Sequence, residues 1–111
     1  MSENRSFDVL MAQFTSFSLK TFEDATASSS LEKLEDEIKE VRAAFDNDTR
    51  MGLNKLNLAK EYADCIMCLL DSAARKGLSI AELKSAFDMK LTINMSRKWV
   101  KNDNNTYSHV Q

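Results

Sequence analysis

The chain has 111 residues, a formal net charge of −2, and 29% charged against 43% apolar residues. This length supports one folded domain with a modest core, and the composition excludes a disordered chain. Twelve Leu and eleven Ala stand against four Val, two Gly and no Pro, which favours helices over sheets. No apolar run approaches the ~18 residues of a membrane span, and the polar start has no signal-peptide pattern. We therefore expect an all-α protein of the cytoplasm with no membrane partner.

Acidic and basic residues are unevenly distributed along the chain. Residues 1–74 hold 14 acids and 8 bases, a balance of −6, and residues 75–111 hold 3 acids and 7 bases, a balance of +4. The net charge and a pI near 5.4 argue against nucleic acid as a partner. The asymmetry fits a cation and an anionic ligand bound side by side, although solvated helix faces of uneven sign are the commoner cause of such a pattern.

The first half of the chain contains two predicted helices. Apolar residues at helical spacing predict the first over about residues 6–20, and a polar loop is expected over 21–30. Ser29 and Glu32 form a capping-box pattern that opens the second helix, which closes near residues 46–48.

Two more helices are predicted after a break at Gly52. The third covers about residues 53–76 and stops at Gly77, which suits the position just past a helix end. Ser79 opens the fourth, through a capping box with the acid three residues later. The fourth helix runs to about residue 98, and a polar, flexible tail is expected from about residue 101.

The third helix is unusually apolar between residues 62 and 74, so we expect it to be buried nearly all round. One small bundle does not easily provide that cover, whereas a homo-oligomer that shares its core does. The chain is therefore predicted to form a four-helix bundle, a single domain over residues 1–111, completed by assembly into a dimer or tetramer.

Three acids interrupt this apolar helix. Glu61, Asp64 and Asp71 lie with Cys68 in one stripe roughly 80° wide. Acids are rarely buried unless they are paired or bound to a metal. Either an ion pair with Lys or Arg of a neighbouring helix or a divalent cation would explain the stripe.

The second helix offers a matching pair of acids. Glu37 and Glu40 are three residues apart, so they share a face, and Glu37 lies at the edge of the packed stripe. Four carboxylates contributed by two helices would suit a hard cation such as Mg²⁺. From spacing alone, salt bridges remain an equal alternative.

The acidic spacing also resembles a family signature. Asp36, Glu37 and Glu40, followed by Glu61 and Asp64, are similar to the EExxE…ExxD pattern of the MazG-like, all-α nucleotide pyrophosphohydrolases. The resemblance covers about residues 30–100 and points to the dATP/dGTP diphosphohydrolase branch found in phage and bacteria. The chain departs from this pattern in two places. An Asp takes the place of the first Glu, and residues 104–106 stand where a Gly-containing turn is expected.

The resemblance implies a fold of the MazG-like type and a Mg²⁺-dependent reaction, with Mn²⁺ as a substitute. The reaction is hydrolysis of (deoxy)nucleoside triphosphates, with dATP and dGTP as candidates, to monophosphate and pyrophosphate. The acids implied to be catalytic and to hold the metal are Glu37, Glu40, Glu61 and Asp64. The residues implied to bind the substrate phosphates, on one face of the fourth helix, are Lys90, Asn94 and Arg97.

A second interpretation belongs to another class of protein. The acids could form ion pairs between helices in a catalytically inactive oligomer that acts as an interaction or regulatory protein. Cys65 and Cys68 have the spacing of a zinc or redox site, but there is no second Cys pair and only one His. Structural thiols inside a helix are the expected interpretation.

Overall fold

The computed structural model describes residues 4–47 and 55–110. In chain order the elements are α1 (Phe7–Thr21), α2 (Ala27–Asn47), α3 (Lys55–Arg75), α4 (Ile80–Ser96), β1 (Trp99–Lys101) and β2 (Tyr107–His109). The all-α class with four helices is confirmed. The second helix was expected to close near residues 46–48, and α2 ends at Asn47. The predicted break at Gly52 and the predicted start of the third helix at residue 53 lie outside the described residues. The chain divides into two compact units, Met1–Ile80 and Ala81–Gln111. None of the described helices has the length and apolar character needed to cross a membrane.

Helices α1 and α2 begin at hydroxyl caps. The Ser6 side chain accepts a hydrogen bond from the Val9 amide at 3.2 Å, which caps α1. The prediction for α2 was wrong by one turn, because the helix starts at Ala27 rather than after Ser29. Thr26 Oγ1 accepts from the Ser29 amide at 3.0 Å, and Ser29 Oγ accepts from the Thr26 amide at 2.8 Å. This reciprocal pair satisfies two amides at the helix start, so Ser29 closes the box rather than opening it.

The end of α3 has a glycine in the left-handed conformation, as predicted. Gly77 has φ +86°, a value that L side chains rarely adopt. Its amide donates to Ala74 O at 2.9 Å, and the Leu78 amide donates to Ala73 O at 3.1 Å. These two bonds are the Schellman arrangement, and they satisfy carbonyls that would otherwise lack a partner.

The first unit is built around α3, which packs on α2 and α1. Its deeply buried side chains are mostly polar. Among the described residues, Val41 is the only buried hydrophobic one. The buried polar and charged residues are Ser18, Ser30, Glu37, Asp71 and Ser72. A single chain does not bury α3 on all sides, so the burial expected of it in a homo-oligomer stays a prediction. The face that it buries is the polar one, and apolar residues on its other faces are open.

Large apolar side chains are therefore exposed on the single chain. On α1, Phe7 and Phe17 are more than half exposed. In the second unit no residue of α4 is buried, and Phe87 and Met95 are 73% and 77% exposed. Apolar area of this extent is unusual for a monomer.

A β-hairpin forms where the sequence suggested a flexible tail. Trp99 pairs with His109 and Lys101 with Tyr107 in an antiparallel ladder. Asn105 has φ +66° in the connecting turn. Asparagine tolerates the left-handed conformation better than most residues, so it takes the place of the glycine expected here. The Trp99 indole N–H donates to Asn94 O at 3.0 Å and thereby ties the hairpin to α4.

Candidate metal centre and adjoining cleft

Three carboxylates from α2 and α3 converge in the first unit. One oxygen from each of Glu37, Glu61 and Asp64 lies within 4.8 Å of the others. The two helices run antiparallel, since Ser30 contacts Asp71 at one end and Glu37 approaches Asp64 at the other. The i, i+3 spacing on α3 puts both of its acids on the face that meets α2. The helix pair therefore brings together three of the four acids implied by the signature.

Two oxygens of this cluster are buried without a hydrogen-bond partner. They are Glu37 Oε2 and Glu61 Oε2, and Glu37 is only 7% exposed. A buried carboxylate oxygen without a donor costs at least about 1–3 kcal/mol, and like charges nearby raise that cost. A divalent cation would relieve both effects at once, because it supplies positive charge and accepts oxygen ligands. The donor set therefore fits a hard cation.

Glu40, the fourth predicted acid, is exposed at the edge of this cluster. Repulsion from the charges of Glu37 and then Glu61 raises the pKa of Glu40 above its ordinary value. Among the described residues, one cation contacts the cluster directly. Lys33 Nζ lies 3.2 Å from Glu37 Oε1, one helical turn away. That lysine is largely exposed, and it leaves Glu37 Oε2 without a partner.

Asp71, the remaining acid of the predicted stripe, has a different environment. Ser18 Oγ donates to its Oδ1 at 2.5 Å, and Ser30 Oγ donates to its Oδ2. Arg75 Nε, on the same helix, donates to Oδ2 at 2.8 Å. Burial alone would raise the pKa of Asp71, but the bonds from Arg75 and the two serines hold that pKa below its ordinary value. Of the two explanations left open by the sequence, the ion pair holds for Asp71, with a partner on its own helix.

The Arg75 guanidinium also fastens the α1–α2 connection to α3. It donates to Ala25 O at 2.9 Å and to Ser18 O at 3.1 Å. Ser72 Oγ adds a bond to Ala27 O at 2.8 Å. These bonds reach carbonyls at the end of α1, in the loop and at the start of α2; the Ser18 carbonyl also accepts from the Phe22 amide at 2.9 Å. The sequence gave no sign of this network, because its partners lie 41 to 57 residues apart.

A cleft of about 430 Å³ extends from the acidic cluster to this network. Its polar lining includes Glu37 and Asp64 at one end and Asp71 at the other. The apolar and thiol lining consists of Phe14, Phe22, Ala25, Met67 and Cys68. Carboxylates beside an apolar, aromatic-walled space form a site for a ligand that carries both a metal-binding group and a flat apolar group.

The two cysteines are half-buried free thiols. Burial, and then the charge of Glu37, raises the pKa of both Cys65 and Cys68. A raised pKa keeps a thiol protonated and unreactive, which agrees with the structural interpretation.

The predicted phosphate-binding residues belong to the second unit. Lys90 is exposed on α4, Asn94 is half-buried near its end, and Arg97 is half-buried one residue beyond Ser96, where the helix stops. The prediction that all three lie within the helix was therefore wrong for Arg97. Its amide donates to Asn94 O at 3.3 Å, so the chain turns there.

The fold and the cluster define a class of protein: an all-α protein with a carboxylate centre suited to a divalent metal ion. Comparisons with known proteins agree with this class. The sequence profile of the dATP/dGTP pyrophosphohydrolase family matches residues 10–111, and the chain belongs to this family. It is therefore an enzyme, a nucleotide pyrophosphohydrolase that acts on phosphoanhydride bonds. The resemblance seen in the acidic signature is confirmed.

A solved structure is similar over nearly the whole chain. It is the cyanophage S-2L MazG-like pyrophosphohydrolase, bound to dGDP and three catalytic Mn²⁺ ions per active site. The two chains are 26% identical with a TM-score of 0.70, and the match covers 96% of this chain and 99% of that one. No curated protein matches the sequence.

Proposed function

We propose that the chain hydrolyses purine deoxynucleoside triphosphates, dATP or dGTP, to the monophosphate and pyrophosphate in a Mg²⁺-dependent reaction, with Mn²⁺ as a substitute. The observation that carries this proposal is the pair of buried, unpartnered oxygens of Glu37 and Glu61, within a cluster that Asp64 completes. The base preference is supported by the family description and by the dGDP bound to the similar cyanophage enzyme.

The residues that would hold the metal are Glu37, Glu40, Glu61 and Asp64. When bound, Mg²⁺ supplies positive charge for the phosphate oxygens and lowers the pKa of a bound water. The chain supplies the placement. Lys33 bonds to Glu37 Oε1 and restrains that carboxylate while its Oε2 stays available as a ligand. Packing of α2 on α3 keeps the acids together before substrate binds, which limits the reorganisation needed during the reaction.

Lys90, Asn94 and Arg97 are our candidates for the contacts to the substrate phosphates. Their support is chemical, since an ammonium, an amide and a guanidinium are donors that suit phosphate oxygens, and Arg can bind them in a bidentate way. We also propose that residues 1–111 act as one functional domain, because the family match includes residues of both units.

We propose further that the active protein is a homo-oligomer, a dimer or a tetramer. Exposed side chains such as Ile66, Leu69 and Phe87 would be covered by a second copy, and apolar burial contributes about 25 cal/mol per Å². Sedimentation velocity at micromolar concentration tests this directly. A monomer at all concentrations would contradict it.

The activity test is pyrophosphate release from the common ribo- and deoxynucleoside triphosphates, with Mg²⁺ and with EDTA. We expect release to require Mg²⁺, to be fastest with dATP or dGTP, and to be lost in Asp64→Asn. Asp88→Asn is a matched control, since Asp88 is an exposed aspartate outside the cluster. Release that continues in EDTA or in Asp64→Asn would refute the metal role of the cluster. Mg²⁺ binding without release from any nucleotide would refute the substrate.

A further inference from the structure

We propose that the cleft beside the acidic cluster distinguishes among purine bases by the N–H groups on their edge, through serine hydroxyls whose own protons are already bonded and which can therefore only accept hydrogen bonds from a ligand. The inference rests on the proposed function, since it takes the phosphates to lie at the carboxylate end. It goes beyond that function by naming what distinguishes one base from another.

The cleft has a length suited to a nucleoside. Ser30 lies seven residues before Glu37 on α2, and Asp71 lies seven residues after Asp64 on α3. At 1.5 Å per helical residue, both helices separate the serine end from the acidic end by about 10 Å. A nucleoside whose α-phosphate reached the acidic cluster would therefore place its base between the aromatic walls, near the serines.

The hydroxyl protons at this end are already committed. Ser18 Oγ and Ser30 Oγ both donate to Asp71. The bond from Arg75 keeps that carboxyl ionised, so it cannot donate in return. Ser29 Oγ, which also lines the cleft, donates to Thr26 O at 3.1 Å. Each hydroxyl has one proton, and therefore only lone pairs of these oxygens remain for a ligand.

Serine oxygens that can only accept from a ligand favour bases with N–H groups on the edge that meets them. Guanine presents a ring N–H and an amino group there, whereas hypoxanthine lacks the amino group. Adenine presents an amino group that unsubstituted purine lacks. Lys33 is a donor that lines the cleft, but it contacts Glu37 at the phosphate end. The phosphates of paired nucleotides are identical, so any difference in binding within a pair reports the base alone.

The test is calorimetric titration of the full chain, in Mg²⁺, with α,β-imido triphosphates that resist cleavage at the α–β link. We expect the deoxyguanosine analogue to bind roughly two- to tenfold more tightly than the deoxyinosine analogue. The deoxyadenosine analogue should bind more tightly than the analogue of the unsubstituted purine deoxynucleoside by a similar factor. Equal affinities within both pairs, or no binding of any analogue, would overturn the proposal. Because binding is measured, a chain that discriminates bases but releases no pyrophosphate would refute the proposed function and not this inference.

Ser30→Ala separates base contact from a purely structural role. Loss of an acceptor should bring the guanine-to-hypoxanthine affinity ratio towards one, whereas a general disturbance of the cleft would weaken both nucleotides equally and preserve the ratio. Ser28→Ala is the matched control, because Ser28 is exposed on the same helix and does not line the cleft. A retained ratio in Ser30→Ala would overturn the role of this hydroxyl. The two wild-type comparisons need no variant, so they stand even if Ser30→Ala does not fold.

Discussion

Replacing Asp71 by Asn tests whether the buried network, rather than a metal, accounts for this acid. The change keeps the shape of the side chain and removes its charge. It weakens three hydrogen bonds, from Ser18, Ser30 and Arg75, and leaves the guanidinium, whose side chain is 9% exposed, without a counter-charge.

The expected destabilisation follows from the burial of both partners. Removing one member of a buried ion pair costs about 3–5 kcal/mol. Asn still accepts one bond through its amide oxygen, so we expect the lower end, about 3 kcal/mol. For a chain of this size, each kcal/mol shifts Tm by about 4 °C, which gives a fall of about 12 °C. Glu35→Gln removes an exposed charge from α2 and should change stability by less than about 0.5 kcal/mol.

The pH dependence of stability gives a second measure of the same group. The pKa of Asp71 is lowered in the folded chain, so the ionised acid stabilises the fold above the unfolded pKa of about 3.9. That contribution is lost as pH falls through the lower folded pKa. Urea unfolding should therefore show a constant difference between wild type and Asp71→Asn at neutral pH, and this difference should shrink below about pH 4.

Two results would refute this account of Asp71. One is a variant within 0.5 kcal/mol of wild type, a margin on the order of a surface substitution. The other is loss of thermal stabilisation by Mg²⁺ in Asp71→Asn, because the Asp71 network lies apart from the acidic cluster and should not affect metal binding. In the double variant Asp71→Asn with Arg75→Met, the loss of unfolding free energy should be smaller than the sum of the losses in the two single variants. Each single variant leaves one buried charge without its counter-charge, whereas the double variant leaves none.

Further predictions concern the metal centre and the helix ends. Mg²⁺ at a hundred times its Kd should stabilise the fold by about 2.7 kcal/mol, and Glu61→Gln should remove most of this shift in a thermal melt while raising apo stability by relieving repulsion. An unchanged Mg²⁺ shift in that variant would exclude Glu61 as a ligand. Gly77→Ala meets open space but is strained at φ +86°, so it should cost about 1–2 kcal/mol by denaturant unfolding. No measurable cost would mean that the turn relaxes. Thr26→Ala removes the cap of α2 and should cost about 0.5–2 kcal/mol, whereas a cost for Glu32→Ala instead would restore the capping box expected from the sequence.

Local sequence determined the helices and the chemistry of the acidic signature. Helical periodicity, a left-handed glycine at Gly77 and the i, i+3 acid pairs depend on residues within one or two helical turns. They can therefore be predicted without knowledge of the tertiary structure. The same is true of family membership, since the spacing of Glu37, Glu61 and Asp64 is itself a sequence property. The shifted start of α2 was missed because three consecutive serines offer several possible caps, and only the hydrogen bonds choose among them.

Tertiary structure decided which acids lack a partner and which are satisfied. Asp71 and Asp64 are both aspartates on the same apolar helix, yet only Asp71 receives donors from Ser18 and Ser30, which lie 53 and 41 residues away. A serine that will bond to a buried carboxylate looks in sequence like any exposed serine. The antiparallel packing of α2 on α3 creates the difference. It brings hydroxyls to one end of the helix pair and leaves carboxylates facing one another at the other end.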